Sequence, residues 1–237
     1  MPTVGAWGPY HDAVFPGSWL NEAGQSATGA LLDHVLRMHA AGGEPTPELH
    51  QRVIERIIAL RASEGADLAP QLHVLPDFHG NRSPLADPRA LGVISGVTLD
   101  SDFDSLCRLY WRTAVAIAVQ VRHILDALRA RGYATETLHF AGGHSHNPLL
   151  MELYADALDC TVVESSAPDP TLLGVAMVAA TAAGLHADLQ SACLAMAQPG
   201  TRRSANPAAR ARLERDYRSQ LAMQRHRAEL ASLGRAD

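Results

Sequence analysis

Leu138–Ala157 has the sequence LHFAGGHSHNPLLMELYADA, and the prediction of the fold depends on it. Four residues with apolar, strand-favouring character, Leu138–Ala141, run into a glycine pair and a polar quartet. Pro148 then opens a segment with helical apolar spacing to about Leu158. Paired glycines let a backbone approach a ligand, and the first turn of a helix offers unpaired N–H groups. The stretch therefore predicts a strand–loop–helix turn that can seat a ligand, although such turns also occur as plain connections.

The composition is that of an ordinary globular protein. The chain has 237 residues, of which 47% are hydrophobic and 19% charged, with a formal net charge of −5 and a pI near 6.2. A mildly acidic chain lacks the basic surface typical of nucleic-acid or anionic-membrane binding, and the sequence has no apolar run as long as a membrane span. We therefore expect neither nucleic acid nor a membrane as a partner.

The cysteines and histidines do not predict a metal centre. Cys107, Cys160 and Cys193 lie far apart in apolar segments, which indicates reduced thiols in a cytoplasmic protein. The histidines are scattered, and the one close pair, His144 and His146, has no cysteine or carboxylate cluster beside it. The first residues also lack the basic and apolar regions of a signal peptide. We expect a cytoplasmic protein without protein-derived metal ligands.

Helices and short strands alternate along the rest of the sequence. The periodicity predicts helices at 27–41, 47–64, 104–131, 172–183 and 208–236, and strands at 72–75, 93–97 and 161–164. Thr46 and Pro47 have the residue types of a helix cap and first position. The opening segment, Val4–Gly29, shows no strand pattern, and we expect its large aromatic residues to form an apolar lid or loop cluster: Trp7, Tyr10, Phe15 and Trp19.

Two of these helices carry further expectations. The helix at 172–183 is rich in glycine and alanine, which predicts close packing in a core. The arginine-rich tail at 208–236 has a four-residue stripe, for which the expectation is a solvated terminal helix packed along that stripe: Leu213, Tyr217, Leu221 and Arg225. Acidic residues interrupt its basic charge, which argues against a nucleic-acid surface.

Five blocks of sequence together resemble a known family. In chain order they are GPY (Gly8–Tyr10), LNEAGQSATG (Leu20–Gly29), LPDFHGNRSPLADPRALGVISGVTLD (Leu75–Asp100), FAGGHSHNPLLMELYADAL (Phe140–Leu158) and DPTLLGVAMVAATAAG (Asp169–Gly184). Their order resembles the C-terminal lobe of the FGGY carbohydrate kinases, and within that family the ribulokinase-type pentulose kinases. One departure is Asp169–Pro170, where the family usually has Glu-Ala. Since proline is tolerated in a first helical turn, we still expect that helix.

The resemblance implies an α/β fold of the ribonuclease H-like, actin/hexokinase-type ATPase class, with a mixed sheet flanked by helices. Residues 1–200 would form the C-terminal, nucleotide-binding lobe, with 1–26 as a segment connecting the lobes. Residues 201–237 would form a C-terminal helical extension. The implied activity is transfer of the γ-phosphoryl group of ATP to a sugar hydroxyl, with Mg²⁺ bound through the ATP phosphates.

The resemblance also assigns candidate nucleotide contacts. By match to the family's adenosine motif, Gly142, Gly143 and Asn147 would line the adenine and ribose pocket, with Ser145 and His144 beside them. The other wall would include two residues around the GQS segment, Gly24 and Thr28. The side chain of Asn147 can offer a donor and an acceptor to a ligand, but it can equally cap the helix that starts at Pro148, and both roles are compatible.

No catalytic residue is assigned, because the family's general-base aspartate and phosphate-binding turns precede the region that this chain matches. Asp77 and Arg82 lie in a loop that faces the cleft in the family, and Arg82 could instead pair with Asp77 or Asp87 to hold that loop. The first hypothesis is the ATP-side lobe of a ketopentose kinase that needs an N-terminal lobe for activity. The alternatives are a non-catalytic nucleotide-binding module and an oligomerisation module. Exposed apolar cleft surface also predicts a homo-oligomer.

Overall fold

The structure is a computed structural model, and it describes residues 5–234. The strands are β1 (Trp7–His11), β2 (Trp19–Glu22), β3 (His73–Leu75), β4 (Val93–Ser95), β5 (Thr137–Phe140), β6 (Thr161–Glu164) and β7 (Thr201–Arg203). The α-helices are α1 (Thr28–Met38), α2 (Pro47–Glu64), α3 (Phe103–Arg129), α4 (Pro148–Ala157), α5 (Pro170–Ala182), α6 (Leu189–Met196) and α7 (Arg210–Leu233). Among these described helices, none combines the length and apolarity that crossing a bilayer requires.

A three-stranded mixed sheet carries the glycine turn. Its strand order is β5-β6-β7, with β5 parallel to β6 and β7 antiparallel to β6. The register places Phe140, the last residue of β5, opposite Glu164, the last residue of β6. Parallel strands need a crossover helix, and α4 provides it. The turn that follows Phe140 therefore lies at the carboxyl edge of the sheet, where α/β proteins commonly bind ligands.

The long helix α3 is the centre of the core. Asp102 caps it, accepting a hydrogen bond from the Ser105 amide at 2.8 Å. Its middle is buried on every side, with Trp111 and Ile117 fully inaccessible. Helices α1, α2, α4 and α7 all pack against it, together with strand β3. A helix that is apolar around most of its circumference is stable only in such an enclosed position.

Helix α7 packs on α3 through polar side chains. Asp216 pairs with Arg112 of α3 at 2.5 Å, and both side chains are at most 3% exposed. Gln220 donates to Gln120 at 2.6 Å, also in a buried position. The predicted stripe was therefore wrong in part, because the buried positions of α7 are Arg212, Leu213, Asp216, Gln220 and Gln224. Of the expected stripe, Leu213 belongs to the apolar core and Tyr217 packs against it, whereas Leu221 is only partly buried and Arg225 is exposed.

Three segments differ from the expectations. The opening segment, expected to lack strands, contains the antiparallel pair β1 and β2. Helix α5, expected to pack closely in a core, has no buried residue and makes its main contact with α6. Residues 201–203, expected in a helical extension, form β7 and extend the sheet. Strand pairing and helix burial depend on distant partners, which a local pattern of small or aromatic residues does not identify.

The helix caps agree with the sequence. Thr46 accepts from the Leu49 amide at 3.2 Å and Pro47 is the first residue of α2. Asp169 accepts from the amides of Thr171 and Leu172, so α5 forms despite its Asp-Pro opening.

All three cysteines are free thiols, and burial raises the pKa of Cys107 to about 12.

Candidate functional site

The glycine turn between β5 and α4 leaves its main chain open. Gly142 has a φ of +81°, a conformation that residues with a side chain rarely adopt. Its carbonyl accepts both the amide of Ser145 at 3.0 Å and the hydroxyl of Ser145 at 2.6 Å, which closes a single 3₁₀ turn, Gly143–His146. A Cβ placed on Gly142 or Gly143 would meet no atom within 4 Å. Both glycines therefore border free space in which a flat ligand can lie against the backbone.

Asn147 holds this turn onto helix α4. Its side-chain oxygen accepts from the amides of Leu149 at 3.1 Å and Leu150 at 3.3 Å, and Pro148 is the first helical residue. The residue is only 8% exposed. The capping role considered from the sequence is therefore what the structure shows. Since its oxygen accepts two amides of the first helical turn, the side chain of Asn147 fixes the position of the glycine turn relative to α4.

His144 connects the turn to helix α1. Its Nε2 lies 3.0 Å from the hydroxyl oxygen of Thr28, the first residue of α1, and its Nδ1 lies 2.9 Å from the hydroxyl of Tyr154 on α4. Burial lowers the pKa of His144, so the imidazole is neutral near pH 7 and acts as donor on one nitrogen and acceptor on the other. This relay brings Thr28 and the glycine turn, predicted as opposite walls of one site, into contact.

An aromatic stack holds the His144 imidazole in place. The Phe140 and Tyr154 rings are 4.4 Å apart and nearly parallel, and the His144 imidazole follows 6.0 Å from Tyr154 at the same interplanar angle of 23°. Burial also raises the pKa of Tyr154, which keeps its phenol protonated for hydrogen bonding. Sequence reasoning did not assign a role to Phe140 or Tyr154. The available signal was an aromatic residue on each side of the glycine pair.

Gly24 lies beside the loop 76–92 instead of contacting the glycine turn directly. Its amide donates to the hydroxyl of Ser83 at 3.0 Å, and a Cβ on Gly24 would meet the Arg82 side chain at 3.7 Å. Arg82 stacks over Trp7 at 4.5 Å and pairs with Glu22 at 3.7 Å. The suggested pairing of Arg82 with Asp77 or Asp87 was therefore wrong.

Asp77 has other partners. It accepts from Asn81 at 2.9 Å and from the guanidinium of Arg227 on α7. It is buried, and this burial raises the pKa of its carboxyl group although both partners oppose the shift. The following residues, Phe78 and His79, face the start of α1 across a cavity of about 210 Å³. Arg227 thus holds in place the loop that faces the start of α1.

The groups that border the glycine turn are main-chain atoms and hydroxyls. Within residues 5–234, no three His, Cys, Asp or Glu side chains lie close enough together to hold a metal. The free glycine backbone and the hydroxyls of Thr28 and Ser145 are groups that suit a nucleoside.

Comparison with known families identifies the domain. Residues 1–183 match the model described as the C-terminal domain of the FGGY family of carbohydrate kinases. The chain belongs to the FGGY family. The match ends after α5, so α6, β7 and α7 lie outside the part of an FGGY C-terminal domain that the model describes.

Curated relatives agree with the assignment. A human FGGY carbohydrate kinase domain-containing protein is 41% identical over 208 residues, which cover 83% of this chain and 37% of the relative. A D-ribulokinase of Saccharomyces cerevisiae is 34% identical over 170 residues, covering 67% of this chain and 24% of the relative. The chain thus spans well under half the length of these FGGY proteins.

Solved structures confirm the predicted fold class. A xylulose kinase from Rhodospirillum rubrum superposes with a TM-score of 0.67 at 24% identity, covering 91% of this chain and 41% of that protein. A glycerol kinase from Plasmodium falciparum, solved with ADP, superposes with a TM-score of 0.59 at 17% identity, covering 84% and 36%. The actin/hexokinase-type ATPase fold with a mixed sheet flanked by helices is therefore confirmed for this FGGY domain.

Proposed function

We propose that this chain is the ATP-side lobe of a kinase that phosphorylates a ketopentose of the ribulose type, working with an N-terminal lobe that supplies the catalytic carboxylate. The observation that carries the proposal is the hydrogen bond between Thr28 and His144, because it joins the two predicted nucleotide walls next to glycines whose backbone is open. Membership of a kinase family supports a nucleotide as the ligand, and so does the similarity to a glycerol kinase that was solved with ADP.

The residues of this lobe would position the nucleoside. The backbone at Gly142 and Gly143 offers a flat surface to a base or ribose, and Ser145 and Thr28 offer hydroxyls at its edges. Bound ATP with Mg²⁺ would supply the phosphoryl group and neutralise its charge. Since phosphoryl transfer depends mainly on alignment of donor and acceptor, a rigid seat for the nucleoside is a substantial contribution to the rate.

The sugar assignment is supported by the relatives. Proteins named ribulokinase are 29–34% identical to this chain over most of its length. Five-carbon ketoses differ by the configuration of single hydroxyl groups, and a site discriminates them through hydrogen bonds to those hydroxyls. We therefore propose a ribulose-type substrate, with the configuration decided by residues of the companion lobe.

Calorimetric titration with ATP and ADP tests the nucleotide seat. The wild-type chain is expected to bind both, and Gly143→Leu is expected to weaken binding at least tenfold because its side chain enters the free space over the turn. Gly43→Leu is the matched control, since its side chain also enters free space, in the loop after α1. Silent titrations of the wild-type chain, or equal effects of the two substitutions, would contradict the proposed seat.

A reconstitution experiment tests the reaction. The chain is co-expressed with the N-terminal lobe of its human relative, and ADP release is followed with D-ribulose, L-ribulose and D-xylulose as acceptors. The expected result is sugar-dependent ADP release that requires both lobes. ATP binding without ADP release from any ketopentose would instead identify a non-catalytic nucleotide-binding module.

A further inference from the structure

Tyr154 of α4 has a buried hydroxyl group with a single partner. The residue is 1% exposed, and its ring stacks on that of Phe140. Among residues 5–234, the structure gives the hydroxyl oxygen one hydrogen-bonding contact, at 2.9 Å from Nδ1 of His144. A buried O–H without an acceptor loses its hydration without compensation, whereas an unused lone pair on the oxygen is tolerated more easily. The hydroxyl of Tyr154 therefore donates to Nδ1.

This hydrogen bond decides which nitrogen of His144 carries the proton. Burial lowers the pKa of His144, so the imidazole holds one proton near pH 7. Because Nδ1 accepts from Tyr154, that proton is on Nε2. Nε2 lies 3.0 Å from the hydroxyl oxygen of Thr28 and donates to it. The three side chains thus form a chain of hydrogen bonds that runs in one direction, from α4 to α1.

Thr28 receives a hydrogen bond from His144 and keeps its own hydroxyl hydrogen. Within the part of the chain that the structure describes, the hydroxyl has no other hydrogen-bonding contact, and the residue is partly exposed. We propose that Thr28 donates this hydrogen to an acceptor atom of the nucleoside, with His144 and Tyr154 as the positioning residues that keep it available. The inference rests on the proposed nucleotide seat and adds the direction of its hydrogen bonds.

The glycine turn, which forms the other wall, has the opposite hydrogen-bonding character. The hydroxyl of Ser145 donates to the Gly142 carbonyl at 2.6 Å, so only its lone pairs remain for a ligand. On the α1 wall, Ala27 occupies the cap position and no side chain binds the first amides of the helix. These amides are donors, as is the Thr28 hydroxyl. The nucleoside therefore turns acceptor atoms toward α1 and a hydroxyl or amino hydrogen toward Ser145.

NMR of isotope-labelled histidine side chains tests the direction of the chain without any nucleotide. The signals of His144 are assigned by their absence from His144→Gln. Nitrogen–proton correlations of the wild-type chain are expected to show the proton of His144 on Nε2 and a bare Nδ1 that is coupled to the hydroxyl proton of Tyr154. A proton on Nδ1 overturns the inference. Silent ATP titrations would contradict the proposed function instead, and the position of the proton would still decide the direction of the chain.

Calorimetric titration with deaza and deoxy analogues of ATP, each lacking one acceptor atom of the base or ribose, tests the donation by Thr28. One analogue is expected to bind the wild-type chain about tenfold more weakly than ATP, but to bind Thr28→Val as tightly as ATP does. Thr181→Val is the matched control and should keep the wild-type pattern, because its hydroxyl bonds within α5. Penalties that are the same in the wild-type chain and in Thr28→Val overturn the proposal.

Two substitutions of His144 separate positioning from a merely structural role. The carboxamide of His144→Gln can still donate to Thr28, whereas His144→Met fills the space without a donor. We expect His144→Gln to keep the wild-type pattern of analogue binding and His144→Met to lose it, with both variants folded in circular dichroism melting. Equal analogue patterns in the two variants overturn the positioning role.

Discussion

Thr28 and His144 are 116 positions apart in sequence, and their side chains meet at 3.0 Å. One belongs to the first turn of α1 and the other to the 3₁₀ turn after the paired glycines. The contact is made by side chains that are partly buried, so it fixes the distance between the two walls of the candidate site. Its consequences for nucleotide binding can be measured directly.

Removing the hydroxyl of Thr28 should weaken nucleotide binding. In Thr28→Val the shape is nearly kept, but His144 loses a hydrogen-bonding partner and the walls are less firmly joined. We expect about a tenfold rise in the ATP dissociation constant, equal to about 1.4 kcal/mol, in calorimetric titration. Thr181→Val is the control, since that hydroxyl bonds to the Met177 carbonyl within α5. An unchanged constant in Thr28→Val would show that the relay does not serve the nucleotide.

Asn147→Ala should destabilise the domain through loss of the α4 cap. The substitution leaves two buried amides, those of Leu149 and Leu150, without their acceptor. Loss of such a cap costs about 0.5–2 kcal/mol, and we expect the upper part of that range because the cap is buried. Urea denaturation gives the free energy of unfolding. Asn206→Ala, which removes an exposed cap of a short 3₁₀ turn, should cost less; equal losses would contradict the importance of burial here.

Breaking the buried ion pair between α3 and α7 should have a large effect. Asp216→Leu leaves the Arg112 guanidinium buried without its counter-ion, which costs about 3–5 kcal/mol. Removing the exposed pair of Arg215 with Asp67 by Asp67→Ala should cost at most about 1 kcal/mol. Both are measured by chemical denaturation. The double variant Arg112→Met with Asp216→Leu should recover much of the loss, and a loss as large as in Asp216→Leu would argue against a charge effect.

The stability of the protein should fall as the solution becomes mildly acidic. Burial lowers the pKa of His123 below its ordinary value, and the same holds for His39, His73 and His144. The unfolded chain therefore binds more protons below about pH 6.5, so the stability is fully present above that pH and is lost as the pH falls.

His123→Gln should reduce this loss, because it removes one of the groups that the folded protein keeps neutral. The measurement is the free energy of unfolding between pH 7.5 and pH 5.5. His226→Gln, at an exposed position of α7, is the matched control and should leave the slope unchanged. A slope in His123→Gln identical to that of the wild type would assign the acid sensitivity to other groups.

Local chemistry made part of the structure predictable from the sequence. The caps at Thr46, Asn147 and Asp169, each followed by proline, fix the starts of α2, α4 and α5 within a few residues of chain. The glycine pair similarly indicates a turn, because glycine readily adopts positive φ values, as Gly142 does here. These features depend on neighbours in sequence, so a single sequence is enough to place them.

Distant pairings could not be read from the sequence. Arg82 lies near Asp77 and Asp87 in sequence but pairs with Glu22 of β2, while Asp77 is bound by Arg227 of α7. The partner of His144 likewise depends on how α1 is placed against the glycine turn. A charged or polar side chain has many possible partners along the sequence. Which of them it contacts is decided by the packing of distant elements.

The contact of α7 with α3 has a consequence for how this domain assembles. A helix that is attached by apolar side chains alone can rotate or slide by a residue at little cost in free energy, because apolar contacts are not directional. In this domain such a shift would separate the Arg112 guanidinium and the Gln120 carboxamide from their hydrogen-bonding partners on α7. The directional hydrogen bonds therefore allow α7 only one position on α3. A shifted position would bury polar groups without partners and is disfavoured during folding.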